Sequence, residues 1–169
     1  MKKPALLRAA ITALFPDYAR DPDKLALWVE TGQVRAGCNG QRGFALEYQL
    51  TLVAEDFTHA PEALFFAVVD WLRSQQPDVT QPNAPGFAFE VDVLDERTFD
   101  VKMVLPLREI VTAAAAGDGA WHLEVQDEAP LFPDAEPLRS GAGPITSLWT
   151  RANGAAPVQV APVPGAAAP

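Results

Sequence analysis

The order of apolar and polar residues between positions 44 and 78 organises the chain. Phe44, Leu46, Tyr48, Leu50 and Leu52 alternate with Ala45, Glu47, Gln49 and Thr51. A period of two marks a strand with one buried face. At Asp56 the period changes. Leu64, Phe65, Val68, Trp71 and Leu72 then recur at spacings of three and four, the buried stripe of a helix. Pro61 suits a first helical turn, where its missing N–H has no helical partner to lose. Pro77 disfavours helical geometry at Gln76 and ends the run. Laying this helix on the sheet buries both apolar faces.

The flanks extend the picture. Residues 4–15 read as a helix with Leu6, Leu7, Ala10, Ile11 and Leu14 on one side, closed by Pro16. Residues 28–37, WVETGQVRAG, read as an edge strand with Gly32 at a bend or bulge. Asn39-Gly40 is a strong turn signal and joins this strand to the central one as an antiparallel hairpin. After a polar loop over 77–85, Phe87, Phe89, Val91 and Val93 alternate, as do Phe99, Val101, Met103 and Leu105. If both sets face one core, odd positions oppose odd positions. A three-residue loop of Glu96, Arg97 and Thr98 then pairs Phe89 with Leu105, Val91 with Met103, and Asp92 with Lys102. Residues 107–115 suggest a short helix, and 121–125 a brief strand. The expected fold is therefore α+β: a small, mostly antiparallel sheet of two hairpins with helices packed on one face.

From Gln126 onward the period is lost. Residues 1–129 read as one domain and 130–169 as an extended Pro/Ala/Gly-rich C-terminal arm whose last stretch, VQVAPVPGAAAP, should bury little. Within the arm, Ile145, Leu148 and Trp149 form an apolar island suited to docking, with a neighbouring subunit as the candidate site. Extended segments can pair with open sheet edges. The expected subunit interface is thus Trp28, Val34 and Arg35 on the edge strand together with Ile145, Leu148 and Trp149.

Composition narrows the function. The formal net charge of −9 opposes binding to a phosphate backbone and adhesion to anionic membrane. No apolar run approaches the ~20 residues that a membrane-spanning helix needs. The start, MKKPALLRAAITALF, has the basic opening of a secretory leader. However, Arg8 interrupts its apolar part and no small-residue cleavage site follows, so an amphipathic helix is expected. Cys38 is the sole cysteine and cannot form an internal disulfide, which fits a reducing compartment. His59 and His122 lack metal-ligand spacing and read as a turn residue and a strand residue. Glu90, Asp92 and Asp100 could cluster on an outer sheet face. Arg97 and Lys102 lie among them, and mixed charge is the ordinary state of a solvated face. No nucleophile–base motif is present, so neither an enzyme nor a cofactor is expected.

Three runs, FALEYQLTLVAEDF, ALFFAVVDWLRSQQPD and GFAFEVDVLDERTFDVKMVLPLRE, resemble the tail completion protein R family of contractile-tailed temperate phages. The segments KKPALLRAAI and DPDKLALWVETGQVRA fit in the same order, so the likeness covers about the first three quarters of the chain. WLRSQQPD is its most specific part. The resemblance implies a structural, tail-terminator-like architecture without catalytic residues. It implies a role at the head-proximal end of the virion tail, assembled in the host cytoplasm as a homo-hexameric ring that caps the tail tube before head joining. The implied partners are the tail tube protein, with sheath and head–tail connector proteins as further candidates. Sequence-specific nucleic acid and membrane are not among them. The alternatives are a neck assembly adaptor without a stable ring, or a small hydrolase with an unfamiliar site.

Overall fold

The computed structural model describes residues 1–37, 40, 42–128, 147–151 and 155–161. Helix α1 (Lys3–Leu14) has Pro4 in its first turn and buries Leu7, Ile11 and Leu14. A short helix α2 (Asp17–Arg20) and a tight 3-10 turn lead into strand β1 (Leu25–Ala36), which returns as β2 (Phe44–Phe57). Helix α3 (Pro61–Gln75) follows, then β3 (Ala88–Val93), β4 (Phe99–Gly117) and β5 (Ala120–Val125). Strands β6 (Leu148–Thr150) and β7 (Val158–Ala161) form a separate antiparallel pair. The main sheet is antiparallel throughout, in the order β1-β2-β4-β3, with β5 also paired to β4. This is the expected α+β fold.

The period-two pattern explains the core. Leu50 opposes Leu105, Leu52 opposes Met103 and Ala54 opposes Val101, so all six share one face. The apolar stripes of α1 and α3 cover that face, and Leu7, Ile11, Leu64, Val68 and Leu72 are buried against it. Trp71 is also in this core.

Several expectations are corrected. The second hairpin pairs Phe89 with Met103, Val91 with Val101 and Glu90 with Lys102, while Asp92 opposes Asp100. The parity is as expected, but the register is shifted by two residues. The reason lies in the turn, which runs from Leu94 to Thr98. It is closed by the Leu94 amide on the Thr98 carbonyl at 3.0 Å and the Arg97 amide on the Asp95 carboxylate at 2.7 Å. Residues 107–115 continue β4 and are not a helix. Leu107, Glu109 and Val111 are buried while Arg108, Ile110 and Thr112 are exposed, and pairing with β2 and β5 overrides the helical preference of the alanine run. The bulge in β1 falls between Val29 and Thr31, not at Gly32. Gly32 instead serves close approach: a Cβ there would lie 3.0 Å from that of Tyr48. The terminal stretch expected to bury little supplies β7, whose Val160 is 4% exposed within the main core.

Pro106 lies within a strand of the sheet interior, a position that normally needs its N–H. Here β3 covers β4 only as far as Val104, and β5 begins opposite Val111. The Arg108 amide points into the gap between them and donates to Gln76 Oε1 at 2.9 Å. Two residues earlier on the same side, Pro106 has no donor to leave unpaired.

Candidate assembly surface

Glu109 fixes the geometry of one end of the molecule. It sits on the helix-covered face of β4, opposite Leu46, and is 2% exposed. Its Oε1 accepts the amides of Lys2 at 3.0 Å and Lys3 at 2.8 Å, and the Tyr48 hydroxyl at 2.7 Å. The first amides of a helix have no helical acceptors, and carboxylates are favoured there. No side chain of α1 caps it, so a carboxylate from the sheet does. Burial by itself would raise the Glu109 carboxyl. The Tyr48 hydroxyl, the Lys3 and Lys2 amides and the N-terminal charge more than offset it and hold the group below the usual carboxylate value. Burial, followed by the bond to Glu109, pushes the Tyr48 hydroxyl upward. Beside this pair the buried Lys3 ammonium donates to Gln76 Oε1 at 2.6 Å and to Glu128 at 2.9 Å.

Past this anchor the sheet outruns its helices. Val111 is the last β4 residue paired with β2. From Thr112 to Gly117, roughly 20 Å at about 3.3 Å per residue, β4 pairs only with β5. The β4–β5 hairpin is exposed along almost its whole length. Trp121 and Leu123 oppose Ala115 and Ala113 on the face that, further down, forms the core. Leu123 is 64% exposed, and the Arg42 guanidinium lies 4.5 Å from the Trp121 ring centre. At the opposite end, β3 is an edge strand that the helical layer only partly reaches. Phe89 and Val93, expected in the core, are 58% and 69% exposed although they face the helical side. The Phe89 ring still meets Phe65 of α3 at 4.7 Å. The α3–β3 groove is about 460 Å³ and lined by Phe65, Val69, Arg73, Phe87 and Phe89, among others.

The residues expected at a subunit interface are distributed as follows. Trp28 is 44% exposed on the face of β1 away from the helices. Val34 is exposed on the helical side, and Arg35 pairs with Glu47 across the strands at 2.6 Å on the other. Leu148 packs against the domain's own core, while Trp149 next to it is exposed. Ile145 and the lone Cys38 lie outside the described residues. The structure thus places Trp28, Val34 and Arg35 on one edge strand, and Leu148 and Trp149 on a separate hairpin against α3. The exposed Phe66, Trp121 and Leu123 were not picked out for an interface by sequence reasoning. The only available signal was the four-alanine run before Gly117, too small in side chain to make a core strand.

The chemistry-bearing residues are engaged elsewhere. Lys102 reaches Glu90 at 3.3 Å, and Asp100 accepts the Asp56 amide at 2.9 Å. Among the described residues, no group of three or more His, Cys, Asp or Glu is placed to hold a metal ion. His59 lies against Phe15 and Phe57, and burial lowers its affinity for a proton. His122 is on the exposed β5 hairpin. No described helix is long and apolar enough to cross a membrane.

Comparison with known proteins gives two matches. A family model described as P2 phage tail completion protein R (GpR) matches residues 1–129. The tail completion protein R of Escherichia phage P2 is 30% identical over 154 residues, covering 88% of this chain and 99% of that relative. No solved structure matches.

Proposed function

The chain belongs to the P2 phage tail completion protein R family, and from this membership we propose that it caps the head-proximal end of the tail tube and prepares it for head joining. Phage tail completion is the family's role. The finer reading is a closed ring of identical copies, six in number, seated on the last layer of tube protein and met from above by sheath or connector proteins. The observation that carries it is the exposed β4–β5 extension, an apolar, two-stranded projection that a solitary subunit leaves without a partner. Two-stranded hairpins are at best marginally stable alone in water. The structural reading is supported by Glu109, which serves as a helix cap, and by Lys102 and Glu90, which serve as an ion pair across the hairpin.

Charge supports a ring that lets DNA pass. The end of the sheet where β1 starts and β2 and β3 finish carries Asp21, Asp23, Asp56, Asp92, Asp95 and Glu96 against Lys24, which pairs with Asp56, and Arg97. A lumen of that sign repels phosphate and keeps a duplex mobile. Trp28, Val34 and Arg35 on the open β1 edge, with Leu148 and Trp149 of the terminal hairpin, are proposed as supporting contacts between copies. The test is electron microscopy of tails assembled without this protein and with it restored. Tails of irregular length or without heads, corrected on restoration, are the expected result. Complete, head-bearing tails in its absence would overturn the proposal. The second reading, an adaptor without a stable ring, predicts a monomer by native mass spectrometry even on isolated tube ends.

A further inference from the structure

We propose that the β4–β5 hairpin of one copy seats in the α3–β3 groove of a second copy, with Trp121 and Leu123 entering beside Phe89. The inference rests on the ring reading and names the contact that builds the ring. Both halves belong to the same chain, and neither is satisfied within it. The hairpin exposes Trp121 and Leu123, and the groove exposes Phe89. The two features lie at opposite ends of β4, which pairs with β5 at its C-terminal end and β3 at its N-terminal end. A hairpin therefore cannot fold back into its own groove. A contact between unlike patches repeats from copy to copy and closes into a ring when the rotation allows.

Charge order selects a second copy as the occupant. Arg42, just before β2, rests on Trp121 of the hairpin, and Asp118 sits at the hairpin's tip. The groove is flanked by Glu62, one turn before Phe65 and Phe66 on α3, and by Arg73 at the other end of that helix. None of these four charges has an ion-pair partner among the described residues. Glu62 and Arg73 stand at opposite ends of α3, about 16 Å apart along its axis at about 1.5 Å per residue. Laid along the groove with its tip toward Arg73, the hairpin turns Asp118 toward Arg73 and leaves Arg42 on the side of Glu62. Such complementarity fixes orientation more than affinity. β3 also offers an open strand edge, and apolar open edges are prone to pairing.

The test is native mass spectrometry of the full chain, with thermal melting to confirm folding. The variants are a hairpin double substitution (Trp121→Ser, Leu123→Ser), a groove substitution (Phe89→Glu) and the charge exchange Arg42→Glu with Glu62→Arg. Wild type should form a closed oligomer, and each of the first two variants a folded monomer. Mixed in equal amounts, those two should give a one-to-one heterodimer and nothing larger, because each retains one intact half. Arg42→Glu alone should weaken the oligomer, and adding Glu62→Arg should restore it. An unchanged oligomer in the first two variants, or no heterodimer on mixing, overturns this contact while leaving the ring standing. A wild-type monomer that still completes tails overturns the ring and the contact together. If the charge variants match wild type in every arm, the orientation is wrong.

Discussion

The Tyr48 hydroxyl and the first amides of α1 meet on a single oxygen of Glu109, at 2.7 Å from Tyr48 and 2.8 Å from the Lys3 amide. A strand residue, a neighbouring strand and the N-terminus of a helix are thereby joined at one buried carboxylate. Glu109→Gln keeps the size but replaces an acceptor oxygen with a donor facing donors. The expected cost is about 1.5–3 kcal/mol, in the range for hydrogen bonds to a charged group. At ~2–4 °C per kcal/mol for a chain of this size, thermal melting at neutral pH reads it directly. An unchanged melting temperature would show that the cap contributes nothing.

Acid titration gives the same group a second signature. Glu109 is held below its ordinary carboxyl value in the fold. Its contribution is complete above the unfolded value, near 4.5, and is lost as pH falls below that toward the lower folded value. The wild-type melting temperature should therefore drop more steeply than that of Glu109→Gln below pH 4.5. Parallel curves would mean that other carboxylates govern the acid limb.

His59 has the opposite sense of charge and a different window. Burial against Phe15 and Phe57 lowers its proton affinity below the ordinary 6.5. Stability is complete above 6.5 and falls as pH decreases from there, because the unfolded chain takes up the proton first. His59→Leu should remove this slope between neutral and mildly acidic pH. An identical slope in the variant would assign it to another group.

Trp71→Ala tests the helix–sheet interface. Trp71 is 7% exposed and packs among the α3 and sheet residues of the core. Removing a buried large aromatic costs about 3–5 kcal/mol. Chemical denaturation should show a midpoint shift of that size, and a shift below ~1 kcal/mol would mean that the site collapses around the gap.

The sequence carried the central strand, both long helices and the parity of the second hairpin, because each rests on a period that only one element satisfies. It failed where two physical signals competed. Residues 107–115 have the composition of a helix, but Leu107, Glu109 and Val111 alternate in a strand held on both sides, and only long-range pairing decides between them. The register error came from the turn: parity permits shifts of two, and the hydrogen bonds of Leu94 and Arg97 that select one are invisible to patterning. Phe89 and Val93 were legible as facing the helical side. Their exposure depends on where the helical layer ends, a property of the assembled domain.

The terminal hairpin supplies the last prediction. Val160 is buried in the main core and Leu148 packs against it, although 18 residues lie between Glu128 and Ser147. Residues 1–128 contain the main sheet, both long helices and the Glu109 anchor, and are expected to fold when the chain is cut after Ala129. It should nevertheless be less stable, since burying a Val or Leu side chain contributes about 1.5–3 kcal/mol. Val160→Asp in the full chain should reproduce much of that loss, because it sends a carboxylate into the same site and releases the hairpin. Melting curves and native masses of wild type, the truncated chain and Val160→Asp separate the outcomes. Folded, destabilised proteins that still associate make the hairpin a stabilising latch. Folded proteins that no longer associate make Leu148 and Trp149 part of the contact between copies. A truncated chain as stable as wild type would show that the hairpin adds nothing to the core, and an unfolded one would move the domain boundary beyond residue 129.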